Sequence, residues 1–236
     1  MLLSEVFEQL TYGELAQVNI GGGDTMGITP DNYPAMIAHV NLGLTSLYKR
    51  FLLKEGTLYL TRSPLLKTYV LSSRYQEGNR TVREANTYIQ ASNPPFLDDI
   101  FKVERVYDEL GVEHGLNDNG DERSITTPTY NSIVIPDCSE VKELKIVYRA
   151  NHPIIKNEDK DIDPSEYELE LPYSHLEALL LFIASRVYNP ISAGNQFHEG
   201  NNFAGKYEQA CQMLEQQNLR VDKTSDNTRF IQNGWV

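Results

Sequence analysis

The feature that most limits what this chain can fold into is the stretch 168–219, where an apolar pattern of helical period runs longer than anywhere else. Within 171–187, Leu176, Leu179, Leu180, Ile183, Ala184 and Val187 recur at three- and four-residue steps, a stripe wide enough to face a core. Pro172 suits the first turn of that helix, where a missing N–H costs nothing, and Asn189-Pro190 stops it. A second helix is predicted from about Asn202, with Phe203, Tyr207, Ala210 and Leu214 on one face and Glu, Gln and Lys on the other. Two such helices make an αα-hairpin that cannot hide both stripes alone. Another element must cover them.

The N-terminal quarter supplies it. Asp31 or Asn32 can cap a helix with Pro34 in its first turn, and Tyr33, Met36, Ile37, Val40, Leu44, Leu47 and Phe51 follow at helical spacing. Its end is expected near Lys54, with Gly56 as the terminating residue. Upstream, Thr11 and Glu14 stand three apart ahead of Leu15 and Val18, which predicts a capping box opening a short helix. The run 21–27 is glycine-rich, but it lacks the Lys-Ser/Thr ending of a phosphate loop and is not GxGxxG, so it reads as a connection.

Between these helical ends the period falls to two. Segments 57–61 and 67–71 read as strands around a turn containing Pro64, and 100–107 alternates apolar with charged residues before the turn 108–111. Segments 130–136 and 144–149 repeat the signature. The predicted class is α+β: a helical domain built from 1–56 and 165–219, with an antiparallel β-sheet or small sandwich inserted over 57–150. An acidic linker over 151–164 and an extended C-terminal arm over 220–236 complete the expected organisation.

Charge and composition narrow the chemistry. The net charge of −12, with seven acids against Lys160 between Glu158 and Glu170, disfavours a surface that grips DNA phosphates. Cys138 and Cys211 alone form no thiol ligand cluster and make a reduced, intracellular setting the default expectation. No 18-residue apolar run is present, so no membrane partner is expected. His39, His114, His152, His175 and His198 show no zinc spacing, so no metal or other cofactor is expected. Ser185 and Ser192 lie in no nucleophile elbow. The loop 117–122 is oxygen-rich like the start of an EF-hand but lacks the twelfth-position Glu, which leaves a solvated hairpin loop. A hydrolase would need paired carboxylates, for which Asp98, Asp99 and Glu104 are the candidates, yet adjacent strand residues point to opposite faces. No catalytic residues are assigned, and the chain is expected not to be an enzyme.

The tail 220–236 is mostly polar but carries Phe230, Ile231, Trp235 and Val236, including the only tryptophan. Aromatic anchors bury large area with few rotors, so Phe230, Ile231 and Trp235 are candidate partner-binding residues of an arm. Folding back onto its own domain is the alternative, and the sequence does not separate an intramolecular from an intermolecular pocket.

The order of parts resembles the head-to-tail adaptor (connector) proteins of tailed bacteriophages, including the tail tubular protein A-like group. The resemblance is carried by the helix of 28–54, the strands containing Phe101-Lys102-Val103-Glu104-Arg105-Val106-Tyr107-Asp108 and Lys145-Ile146-Val147-Tyr148-Arg149-Ala150, and Leu169-Glu170-Leu171-Pro172 leading into 178–187. The segment Phe197-His198-Glu199-Gly200-Asn201-Asn202-Phe203-Ala204-Gly205-Lys206-Tyr207 is also similar to a linker and helix of related phage proteins. The resemblance implies a homo-oligomeric ring, usually of twelve subunits, joining the portal protein to the tail tube or nozzle protein. It implies a virion location in the neck or tail after assembly in the bacterial host cytoplasm, and a channel that genomic DNA crosses without sequence-specific binding. Other tail-completion or collar proteins share nearly all of these features, and a virion-associated hydrolase is the remaining alternative.

Overall fold

The structure is a computed structural model and describes residues 1–16, 18, 20, 27–78, 87–137, 141–156, 162–188 and 196–217, without the side chains of 196–198. The described residues form four helices and two antiparallel sheets, an α+β arrangement. The chain divides into two compact units, one of Met1–Leu53 with Pro153–Val236 and the other of Lys54–His152.

In the helical unit, α1 (Leu3–Tyr12) buries Leu3, Val6, Phe7 and Leu10. This differs from the expected helix opening at Thr11. Thr11 lies in the last turn of α1, and the Gly13 N–H donates to the Gln9 carbonyl at 2.8 Å, so the polar pair sits where the helix stops. The capping acid is instead Glu5, whose carboxylate accepts the Leu2 N–H at 3.1 Å. Helix α2 (Tyr33–Arg50) follows a 3-10 turn over Pro30–Asn32 and buries Met36, Ile37, Val40, Leu44 and Leu47. Helix α3 (Leu176–Tyr188) is buried on most of its surface, and a 3-10 turn over Tyr173–His175 leads into it from Pro172. Gly43 permits the approach of α2 and α3: a Cβ there would stand 2.7 Å from Leu179 Cδ1 and 3.0 Å from Phe182 Cδ1. Helix α4 (Gln196–Gln216) begins earlier than the expected Asn202 and completes the hairpin with α3.

Backbone pairing joins the two chain segments of this unit. The Leu3 N–H donates to the Tyr167 carbonyl at 2.9 Å, and the Leu169 N–H to the Met1 carbonyl at 2.7 Å. The Asn41 side chain donates to the Ile155 carbonyl and accepts its N–H, at 2.9 and 3.1 Å. Asp163 caps the 3-10 turn Pro164–Glu166. The described ends of the predicted 151–164 linker therefore make specific bonds, while 157–161 lie outside the described residues.

Among its described residues the other unit holds seven strands: β1 (Glu55–Thr61), β2 (Thr68–Val70), β3 (Ile100–Asp108), β4 (Glu113–His114), β5 (Thr126–Thr129), β6 (Ser132–Val134) and β7 (Glu143–Ala150). One sheet has the order β1-β7-β3-β4 and the other β2-β6-β5. One apolar cluster, containing Leu58, Leu60, Tyr69, Ile89, Val106, Ile133 and Ile146, draws on both. The strands expected over 57–61 and 67–71 are present as β1 and β2, but they do not pair with each other around the turn at Pro64: β1 pairs with β7 and β2 with β6. The connection between them is organised by Tyr69, whose hydroxyl accepts the Ser63 N–H at 2.9 Å and lies 3.0 Å from the Ser63 and Leu66 carbonyls.

Gly56 likewise ends no helix. It lies in β1 directly opposite Tyr148, whose ring fills the space a Cβ would need. Helix α2 stops at Arg50, and Phe51 turns into extended backbone to begin the approach to the sheet.

Candidate interaction surfaces

Strand alternation gives the four-stranded sheet one buried and one open face. Leu58, Leu60, Leu144, Ile146, Val103 and Val106 are buried, while Glu55, Thr57 and Tyr59 alternate with the inward residues of β1. The register aligns three rows across the open face: Glu55, Arg149 and Lys102; Thr57, Val147 and Arg105; Tyr59, Lys145 and Tyr107. Cross-strand neighbours of this kind interact directly and along diagonals. Arg105 donates to the Glu55 carboxylate at 2.9 Å, and Lys145 Nζ stands 6.0 Å from the Tyr107 ring centre. Next to them the register shifts between Val103 and Arg105, and the Glu104 carboxylate is drawn out of solvent between Arg149 at 3.3 Å and Lys102 at 3.5 Å. Two cations offset the cost of desolvating one carboxylate. The open face is a groove of about 650 Å³ with Tyr59 half exposed within it.

One end of this sheet carries exposed aliphatic side chains. The pairs Thr61 with Glu143 and Asp108 with Leu144 bring the outgoing ends of β1 and β3 together. The connection after β1 presents Leu65, 92% exposed, and the turn after β3 presents Leu110, 83% exposed, with Val112 beside it. That turn is fixed. The Asp108 carboxylate accepts the N–H groups of Leu110 and Val112 at 2.9 and 2.8 Å, and Gly111 takes the left-handed conformation, φ 79°.

The helical unit has its own groove of about 550 Å³, between α3 and α4 near the end of α1. Leu181, Phe203, Ala210 and Met213 supply apolar surface, and Glu14, Glu177 and Lys206 supply charge. The Phe203 ring stacks on Tyr188 with centroids 5.2 Å apart, and Lys206 Nζ lies 5.3 Å from its centre. Elsewhere on α4, Arg50 of α2 makes a bidentate pair with Glu208 at 2.6 and 2.8 Å and donates through Nε to Glu215 at 2.8 Å.

The residues considered from sequence are dispersed. Phe230, Ile231 and Trp235 lie outside the described residues, as do Cys138 and Ser192. Asp98 accepts both the N–H and the hydroxyl of Ser73, and Asp99 accepts the Tyr148 hydroxyl at 3.1 Å. Together with the ion-paired Glu104, these carboxylates serve three separate local contacts. Ser185 donates to the Phe182 carbonyl one turn back. In the loop 117–122, Asp118 and Asp121 accept N–H groups of their own turns, from Gly120 and Arg123.

Burial lowers the pKa of His39, with Arg186 adding to the effect, and burial alone lowers that of His175 against the edge of Phe51. Burial also raises the thiol of Cys211. No group of three or more His, Cys, Asp or Glu that could hold a metal occurs among the described residues. No described helix is long and apolar enough to cross a membrane.

Neither the three rows on the sheet nor the α3/α4 groove is evident from sequence. The rows depend on register between strands separated by up to about ninety positions, which alternation within one strand does not supply. The Phe203 stripe on α4 was the available signal for the groove. No protein-family model matches the chain, and no curated protein matches it significantly.

Proposed function

We propose that the chain is a structural virion subunit, a head-to-tail adaptor that assembles as a ring between portal and tail and lines part of the channel crossed by the genome. The observation that carries the reading is the pair of exposed leucines, Leu65 and Leu110, held at one end of a sheet whose adjacent face is an open groove of charged and aromatic side chains. Burying a leucine side chain stabilises by about 1.5–3 kcal/mol, so each of these side chains, presented on an organised turn or loop, would strengthen a contact with another protein that covered it.

A ring needs two unlike, complementary surfaces on each subunit, and an aliphatic rim and a polar groove are unlike surfaces. The acidic balance of the chain suits a channel that lets DNA slide past. The order of helical ends around an inserted β unit is the architectural basis of the resemblance.

The test is the light-scattering mass of the purified chain, alone and mixed with the portal ring of the same phage. Joining the portal in a fixed ratio near one subunit per portal subunit is the expected result. A chain that remains monomeric and never comigrates with the portal overturns the adaptor reading. Retention on a distal tail component instead would move it to the tail-completion or collar proteins.

A further inference from the structure

We infer that the groove between α3 and α4 is the docking site for the chain's own C-terminal segment, with Phe230, Ile231 and Trp235 as anchors. This inference stands independently of the adaptor reading. The groove runs along one face of α4, where Phe203, Lys206, Ala210 and Met213 follow at three- and four-residue steps, with Leu181 of α3 opposite. Met213 is half exposed at the end nearest the helix terminus. Such a stripe on α4 leaves apolar area in water that an amphipathic segment can cover.

Reach and charge favour the tail as occupant. From Gln216 back to Phe203, α4 rises about 20 Å at 1.5 Å per residue. The chain from 218 to 230 spans up to about 40 Å when extended, so Phe230 reaches any point of the groove. Arg229 precedes Phe230 and Ile231 directly, which sets one cation beside two apolar side chains. The groove sets Glu14 and Glu177 against Lys206 among its described lining residues, an acidic balance of one beside Leu181, Phe203, Ala210 and Met213. A tail tethered at the end of α4 faces this groove at an effective concentration of roughly millimolar, whereas a second copy in a micromolar solution competes at about a thousandth of that. The tethered segment therefore wins over the same segment supplied by another molecule.

Trp235 is the only tryptophan, so its emission reports the site without a label. The full chain is expected to show blue-shifted tryptophan emission, weak quenching by acrylamide, and no dependence of either on protein concentration. Met213→Glu and Ala210→Glu place charge in the groove from exposed and half-exposed positions, and each should red-shift the emission and raise the quenching constant several-fold. Far-UV circular dichroism confirms that the helices persist. The tail variant Phe230→Ser/Ile231→Ser should give the same red shift without changing any residue of α1–α4.

Water-exposed emission from the unmodified chain overturns the inference. So does emission that blue-shifts only as concentration rises, which would assign the groove to a second copy's tail. Blue-shifted emission that both groove variants leave unchanged overturns it as well, because the tail then docks elsewhere.

Discussion

Replacing Gly56 with alanine tests the packing logic of the β unit at its tightest point. Glycine within a strand costs roughly 0.5–1 kcal/mol relative to alanine through backbone entropy, so propensity alone predicts that Gly56→Ala stabilises. The structure predicts the reverse. Gly56 is the direct cross-strand partner of Tyr148, and an added Cβ would overlap the far end of the Tyr148 ring. That ring cannot swing freely: its hydroxyl donates to Asp99 at 3.1 Å and its edge meets Phe96 at a centroid distance of 5.9 Å. Displacing it forfeits a hydrogen bond of about 1 kcal/mol and an aromatic contact of about 0.5–1.5 kcal/mol, and overpacking adds about 1–3 kcal/mol. Against the entropic gain, the net expectation is a loss of about 2–4 kcal/mol. Urea unfolding of wild type, Gly56→Ala, Tyr148→Leu and the double variant measures it, with hydrogen exchange of β1 and β7 amides locating the effect. A shortened side chain at 148 should remove most of the penalty, leaving a coupling energy well above the few tenths expected of independent sites. A neutral or stabilising Gly56→Ala, or an equal cost in both backgrounds, refutes the argument.

Three further outcomes are expected. Arg50→Met keeps the aliphatic stem but removes the bonds to Glu208 and Glu215, and should destabilise the helical unit by about 1–2 kcal/mol in urea unfolding, moderated because Glu208 is half exposed and screened. His39 and His175 have folded-state pKa values lowered beneath the ordinary 6.5, so the unfolded chain takes up protons first as pH falls; their contribution is complete above about 6.5 and is lost below it, with a slope of at most about 1.4 kcal/mol per pH unit for each, and urea midpoints of His39→Gln/His175→Gln should change less between pH 8 and pH 5 than those of wild type. Residues 54–152 expressed alone should unfold cooperatively and protect the β3 and β7 amides, and a product without exchange protection would show that this unit depends on the rest of the chain.

What the sequence disclosed and withheld follows from the range of the forces involved. Helices α2 and α3 and strands β3 and β7 were legible because their apolar period is written in consecutive residues. Helix α1 was missed although Leu3, Val6, Phe7 and Leu10 carry the period, because the pair Thr11 and Glu14 offered a stronger local cap signal than the Leu2 backbone satisfied by Glu5. The partners of β1 and β2 were misread for a different reason. A short connection containing Pro64 favours a hairpin locally, but the long-range pairing of β1 with β7 and of β2 with β6 outweighs it. Gly56 shows the same limit in one residue, since its role is set by a ring ninety-two positions away. The two grooves belong to this long-range class, whereas the apolar character of Phe203 and of Leu110 was visible at once.

Inserting one unit into another raises a question of closure that the hydrogen bonds answer. The helical unit requires pairing between residues 1–3 and 167–169, with the whole β unit between them. Closing a flexible loop of roughly a hundred residues costs on the order of 4 kcal/mol, a sizeable share of a domain's total stability. The β unit removes much of that cost if it folds first. Its entry and exit strands, β1 and β7, pair along their full length, and the Ala150 N–H donates to the Lys54 carbonyl at 3.0 Å, so the chain leaves the sheet beside the point where it entered. For the helical unit, the hundred-residue excursion then acts as a short connection, and α2 and α3 meet as neighbours in an αα assembly would. The zipper of β1 on β7, with Gly56 against Tyr148 near its base, is therefore more than a local packing detail. It is the step that makes the two segments of the helical unit available to each other.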